Sequence, residues 1–378
     1  MLKTTTKAAT PVVSWLYWLV FQAQFDHHKE NKIGGREMDL KAIHVFASFG
    51  IFAGLLSPVS AASPALIEAA RKEGRVVWYT TQVVDQFVRP AVDAFDKKYG
   101  IKVDYVRSGT PDIVLRVTNE TNAGAGQGDI VDGTSSSAAL KRQGMLTRFI
   151  PENNFPREFV DPEGYWIANN LYVLTPGFNT SLLPKGSEPR SYDDLLDPKW
   201  KGRIGWSVPP ANMLAPEFVG MILTEMGDDK GRAYLRKLAS QNLSGHPVSG
   251  RQLLDLVIAG EFPVGLQIFN NHAVISAGKG APSDWIPMQP GIGLLSVASI
   301  TKLAPHPNAA RLFMEYLVSE EGQKLMAASG ELPVHPDVQP MDPKLRPDGK
   351  TFRAVTFSPE ELDEKLPAWL KIFNEIFR

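Results

Sequence analysis

Between Arg75 and Arg142 strand-like and helix-like patterns alternate. That alternation confines the chain to α/β architectures with a largely parallel sheet. Arg75 to Thr80 (RVVWYT) is a short β-branched and aromatic run, which suits a strand. From about Asp85 to Tyr99, Phe87, Val88, Val92, Phe95 and Tyr99 recur at helical spacing. Gly100 stops that helix, and Ile101 to Arg107 alternates as a second strand. Ser108-Gly109-Thr110-Pro111 restarts a helix, and Gly126 to Val131 leads into a third apolar run. Ser135 to Ser137 then open the helical AALKRQG. Ahead of all this, Ser63 caps and Pro64 starts an amphipathic helix that Gly74 ends.

Ligands on such sheets bind beyond the carboxyl ends of the strands, where helices begin. The turns there carry Thr80, Thr81, Gln82, Ser108, Thr110, Thr134, Ser135 and Ser136. Short neutral donors beside helix N-termini suit an anion or a hydroxylated solute. The same residues also make ordinary helix caps, so the positions alone do not decide.

Further along, Leu171 to Phe178 reads as a strand leaving the first set of elements, and Ile292 to Ser299 as one returning. Helices are expected near Ala215 to Met226, Lys230 to Ala239, Arg251 to Ala259, Asn308 to Val318, Glu320 to Ala328 and Ala368 to Arg378. The N-terminal part is distinct. Lys41, the apolar stretch Ala42 to Leu56 and the small residues Val59-Ser60-Ala61 form a secretory signal pattern. We expect cleavage after Ala61 and export to the periplasm. Met38 suits the true start, which makes residues 1–37 a doubtful N-terminal extension and 38–61 the signal peptide.

Charge excludes some partners. The chain has 40 basic and 41 acidic residues, which gives no case for nucleic acid. It has no cysteine, so disulfides and thiolate chemistry are excluded. No GxSxG, Walker-type, HExxH or dinucleotide-binding motif is present. No catalytic residue, metal ligand or cofactor is assigned.

Several segments in order resemble one family: GRVVWYTTQ, YGIKVDYV, YDDLLDPKWKGRIGW, IAGEFPVGLQIFNNH, APHPNAARLFMEYLVSEEGQKLMA and GELPVHPDV. They are similar to the periplasmic ferric-iron-binding-type proteins of ABC transporters. The resemblance implies a two-lobed type II periplasmic-binding fold, with two crossover strands and a central cleft. Residues 62–171 plus 300–378 would form lobe 1, and 172–299 lobe 2 with the crossovers. It also implies an ABC permease and its cytoplasmic ATPase as partners of a monomeric binding protein.

Iron-binding members use paired tyrosines with a histidine and a glutamate, hard donors for a small, highly charged ion. At the matching positions this chain has His272-Ala273 after Asn270-Asn271, Val83 and Thr134. The expected cargo is therefore a small anionic organic solute: a carboxylate, phosphonate or phosphate ester. Arg251, at a helix start, offers a two-point fork for it. Asn212 falls on a family contact position, as do Asn271 and His272. Trp206, Trp166 and Tyr172 are candidate cleft walls, and Asp132 a candidate acceptor for a ligand amine. Ferric iron or an iron complex is the alternative cargo. A ligand-presenting sensory subunit, or an enzyme on the same fold, is the alternative of another class.

Overall fold

A computed structural model describes residues 62–378 apart from 153, 154, 211 and 351. The expected signal peptide and the doubtful extension lie outside the described residues. Helix α1 (Pro64–Glu73) has the Ser63 cap and ends at Gly74, whose φ of 69° is the left-handed closure that glycine tolerates best. Strand β1 (Arg75–Thr80) follows. A π-helical turn over Val84–Val88 runs into α2 (Arg89–Tyr99), then come β2 (Lys102–Arg107), α3 (Thr110–Asn122), β3 (Ile130–Gly133), α4 (Ser136–Arg142) and the short β4 (Leu146–Thr147). The long β5 (Ile167–Asn179) leads to β6 (Ile204–Ser207), α5 (Leu214–Met226), α6 (Asp228–Ala239) and β7 (Ser244–His246). Next are α7 (Gly250–Ala259), β8 (Val264–Phe269), α8 (Asn270–Ala277), β9 (Ser283–Trp285) and the second long strand, β10 (Gly291–Thr301). The chain closes with α9 (Pro307–Val318), α10 (Glu320–Ala328), β11 (Leu332–Pro333), β12 (Ala354–Phe357) and α11 (Pro359–Phe377).

The principal strand order is β2-β1-β3-β10-β5-β8-β6-β7. β1 lies parallel between β2 and β3, as the strand–helix alternation requires. β6 is likewise parallel to β7 and β8. The two long strands are antiparallel to each other and fill the centre. Their sequences, IANNLYVLTPGFN and GIGLLSVASIT, are buried almost throughout, which fits strands covered on both faces.

Each long strand serves two cores. In β5, Ile167, Ala168, Leu171 and Val173 pack with Trp78, Phe95 and Phe313, whereas Leu174 and Phe178 pack with Trp200, Phe218 and Trp369. In β10 the changeover falls between Leu294 and Leu295. These are the two crossovers, and the molecule is the two-lobed α/β structure expected. The ladder between them slips at Ser296/Val297, a bulge that bends the strands where the lobes meet.

One boundary needs correction. The sequence reading assigned 300–378 to the first lobe and began the last helix after Pro367. In the structure α11 runs through Pro367 and buries Trp369, Ile372 and Phe373 in the second core. The proline forfeits one intrahelical bond. The burial of those three side chains, at about 1.5–3 kcal/mol for a large apolar group, more than offsets it. Among the described residues no helix is long and apolar enough to cross a membrane.

Candidate functional site

The carboxyl ends of β1, β2 and β3 lie side by side, and most of the predicted donors gather there. Many of them are already engaged. Asp132, fully buried on β3, accepts from the Thr81 backbone N–H and the Thr81 hydroxyl, both at 2.7 Å, and from the Thr80 hydroxyl. Burial pushes the Asp132 carboxyl above the usual carboxylate range, and the Thr80 and Thr81 donors oppose that rise. Thr80 and Thr81 therefore brace β1 to β3, and Asp132 is not a free acceptor for a ligand amine. Gln82 is buried and donates through Nε2 to Asn170 Oδ1 at 2.9 Å and Ser296 Oγ at 3.0 Å. It ties the turn after β1 to both crossover strands at the bulge. The sequence offers these three residues as ligand donors or as ordinary caps. The close approach of β1 to β3, which local sequence does not encode, engages them internally.

What remains open surrounds Gly133. Its φ is 147°, and a Cβ built there would lie 2.9 Å from Thr110 Oγ1 and 3.1 Å from Ser136 Oγ. Glycine thus leaves a cradle with two hydroxyls aimed at it. Ser136 is fully buried and its Oγ has no hydrogen-bond partner. Helix α3, thirteen residues long, starts beside it with no side-chain cap. Ser108 donates instead to Asp112 in the first turn, at 3.1 Å. Thr134 and Ser135 are half-buried between β3 and α4. Arg107, at the end of β2, is exposed and pairs with no carboxylate among the described residues. A free guanidinium, an uncapped helix start and an orphaned buried hydroxyl together suit an anion.

On the crossover strand β5, Tyr172 is half-buried with its ring 5.3 Å from Phe269, which in turn lies 5.0 Å from His272. Burial raises the Tyr172 phenol most. Glu331 and Asp132 push the same way, while the Asn170 hydrogen bond and Arg107 oppose them. Tyr172 is thus influenced by the charges of Glu331, Asp132 and Arg107. Asn271 is buried and donates to the Gly330 carbonyl at 2.9 Å. His272 stands 3.8 Å from Glu331, and its buried Nδ1 has no partner.

Four predicted residues lie elsewhere or are already paired. Trp206 belongs to the second core, its ring 4.6 Å from Phe377 and 5.3 Å from Phe373. Trp166 is buried in the first core and donates to Glu360 at 2.8 Å. Asn212 braces the turn before α5, donating to Ser207 Oγ at 2.6 Å and accepting from the Leu214 N–H at 2.9 Å. Arg251 donates to Asp255 at 2.6 Å and to Ser276 at 2.8 Å. Its charge is met by an acid one helical turn away, a pairing visible only as i,i+4 spacing. The residues that sequence reading passed over are Arg107, Gly133 and Glu331. The first two were detectable as a cation and a glycine at strand ends preceding helices. Among the described residues no three His, Asp or Glu side chains converge as a metal-ligand set.

The chain matches known proteins over most of the described part. The family model of bacterial extracellular solute-binding proteins covers residues 129–358. A putative 2-aminoethylphosphonate-binding periplasmic protein of Salmonella typhimurium is 27% identical over 313 residues, 79% of this chain and 84% of that protein. Iron-bound HitA of Pseudomonas aeruginosa aligns at a TM-score of 0.66 and 23% identity, covering 80% of this chain and 99% of that one. The periplasmic binding protein AfuA of Actinobacillus pleuropneumoniae, with exogenous fructose-6-phosphate bound, aligns at 0.67 and 25% identity, covering 80% and 98%. The fold is the type II periplasmic-binding fold.

Proposed function

The chain belongs to the bacterial extracellular solute-binding protein family, and from that premise we propose that it captures a small anionic organic solute for import. It is the substrate-binding component of an ABC transporter, and it hands its cargo to a membrane permease driven by a cytoplasmic ATPase. We place it in the periplasm and assign it no catalytic step. The observation that carries the choice of cargo is the orphaned Ser136 hydroxyl at the Gly133 cradle, with the unpaired Arg107 two strands away at the same carboxyl ends. A phosphonate, phosphate ester or carboxylate would take the guanidinium fork at one edge and the two hydroxyls at the other. Charge-assisted bonds of this kind contribute about 1.5–3 kcal/mol each.

The mechanism is closure on the ligand. The solute first meets the first-lobe donors, and closure follows only to the extent that the closed state adds contacts. The bulged crossover strands, tied to the first lobe by Gln82, are the element that bends.

The test is a calorimetric titration with alkyl phosphonates, sugar phosphates, dicarboxylates and ferric citrate. One class of organic anion is expected to bind, and Arg107→Gln is expected to weaken it by about 10–100-fold. Binding of ferric ion alone, or an anion affinity indifferent to Arg107→Gln, would overturn the reading.

A further inference from the structure

Strand β11 pairs antiparallel with β5, with Leu332 opposite Leu171 and Pro333 opposite Asn170. Carried one residue back, that register sets Glu331 across from Tyr172. The Glu331 side chain is only 5% exposed. A carboxylate buried to that degree ordinarily has close donors or a cation. Here it has one long contact, from Asn271 Nδ2 at 3.4 Å, and His272 Nε2 stands at 3.8 Å, beyond hydrogen-bond reach. Among the described residues no lysine or arginine forms an ion pair with it. The His272 ring near it leads to Phe269 at 5.0 Å, and Phe269 to Tyr172 at 5.3 Å. The buried His272 Nδ1 also lacks a partner.

A mostly buried carboxylate with one long donor and no paired cation, close to an aromatic cluster, is a receptor for an organic cation. We propose that Glu331, flanked by Asn271 and His272 and opposite Tyr172 in the strand register, receives the ammonium group of the solute and so selects zwitterions over plain anions. The proposal rests on the anion reading above, because it assigns the opposite end of the same ligand. Tyr172 stands opposite Glu331 in the continued register, and its phenol is influenced by the charges of Glu331, Asp132 and Arg107. Glu331 is then a specificity residue, and His272 gives way to the ligand cation.

Three probe series separate the two claims: ω-aminoalkyl phosphonates of two to four carbons, alkyl phosphonates of the same lengths, and the corresponding alkylammonium ions. Each is titrated into the wild-type protein, Glu331→Gln and Glu331→Asp, with thermal melts of both variants as a folding control. The wild type should prefer an amino phosphonate over its plain counterpart by at least about tenfold. Glu331→Gln should erase that preference by weakening the amino series alone, and Glu331→Asp should keep part of it. Plain phosphonates that bind as tightly as amino ones would overturn the ammonium site and leave the anion reading standing. So would a Glu331→Gln variant that weakens both series equally. Alkylammonium binding that depends on Glu331, with no phosphonate binding, would keep the ammonium site and remove the anion reading. No binding in any series removes both.

Discussion

Gly133→Ala is expected to abolish anion binding while the protein still folds cooperatively. The new methyl group would lie 2.9 Å from Thr110 Oγ1 and 3.1 Å from Ser136 Oγ, in the space that the anion's oxygens need. Both hydroxyls would have to turn away or shift, and the cradle would be filled. The backbone adds its own cost, because a φ of 147° suits glycine alone and strain of this type is of order 1–3 kcal/mol. The cost to stability is separable from the loss of binding. Gly124→Ala supplies the control: its φ is 66°, and an added Cβ meets nothing within 4 Å. It should lower the melting temperature through strain and leave anion affinity unchanged. The readout is ligand-induced thermal stabilisation, which follows affinity by mass action. A Gly133→Ala protein that melts cooperatively and still gains the wild-type stabilisation would contradict the site.

The second large effect lies away from the cleft. Glu217, on the first turn of α5, is buried in the second lobe, and its Oε2 has no hydrogen-bond partner. Burial alone pushes its carboxyl from the ordinary 4.5 to about 7. A carboxyl whose folded pKa is raised binds its proton more tightly in the folded state. Its stabilising contribution is therefore full below about pH 4.5 and is lost as pH rises through about 7. At 1.36 kcal/mol per pH unit, that interval corresponds to about 3 kcal/mol. Glu217→Gln removes the titration and keeps the shape. The stability of the variant relative to wild type is expected to rise by up to about 3 kcal/mol between pH 4 and pH 8, as read by urea unfolding across that range. Parallel pH profiles for the two proteins would show that Glu217 finds a partner or water on ionising.

Much of this architecture was legible in the sequence because its signals are local. The alternation from Arg75 to Arg142 carries its own turn residues, and Gly74 and Gly100 stand where helices must close in the left-handed region. The two long strands were visible as apolar runs, though only the structure shows each one serving two cores. The last helix was misjudged at its start, because a proline rule is local and the apolar surface that overrides it is not. The site was harder for the same reason. Thr80, Thr81 and Gln82 sit where ligand donors should be, yet Asp132 and Ser296 engage them from 52 and 214 residues away. Arg251 looked free in sequence and is neutralised by Asp255. Arg107 was ordinary as a strand-end residue and becomes distinctive only once no carboxylate is found beside it. Glu331 lies in a segment that carried the family resemblance, but its role depends on a strand register that brings it to Tyr172.

The most direct measurement is native mass spectrometry of the protein isolated from its source cells, followed by identification of what is released on unfolding. The account predicts one small organic anion per chain, released intact and displaced from the Arg107→Gln variant. Release of ferric ion without an organic anion, or a chemically altered ligand that accumulates with time, would contradict it.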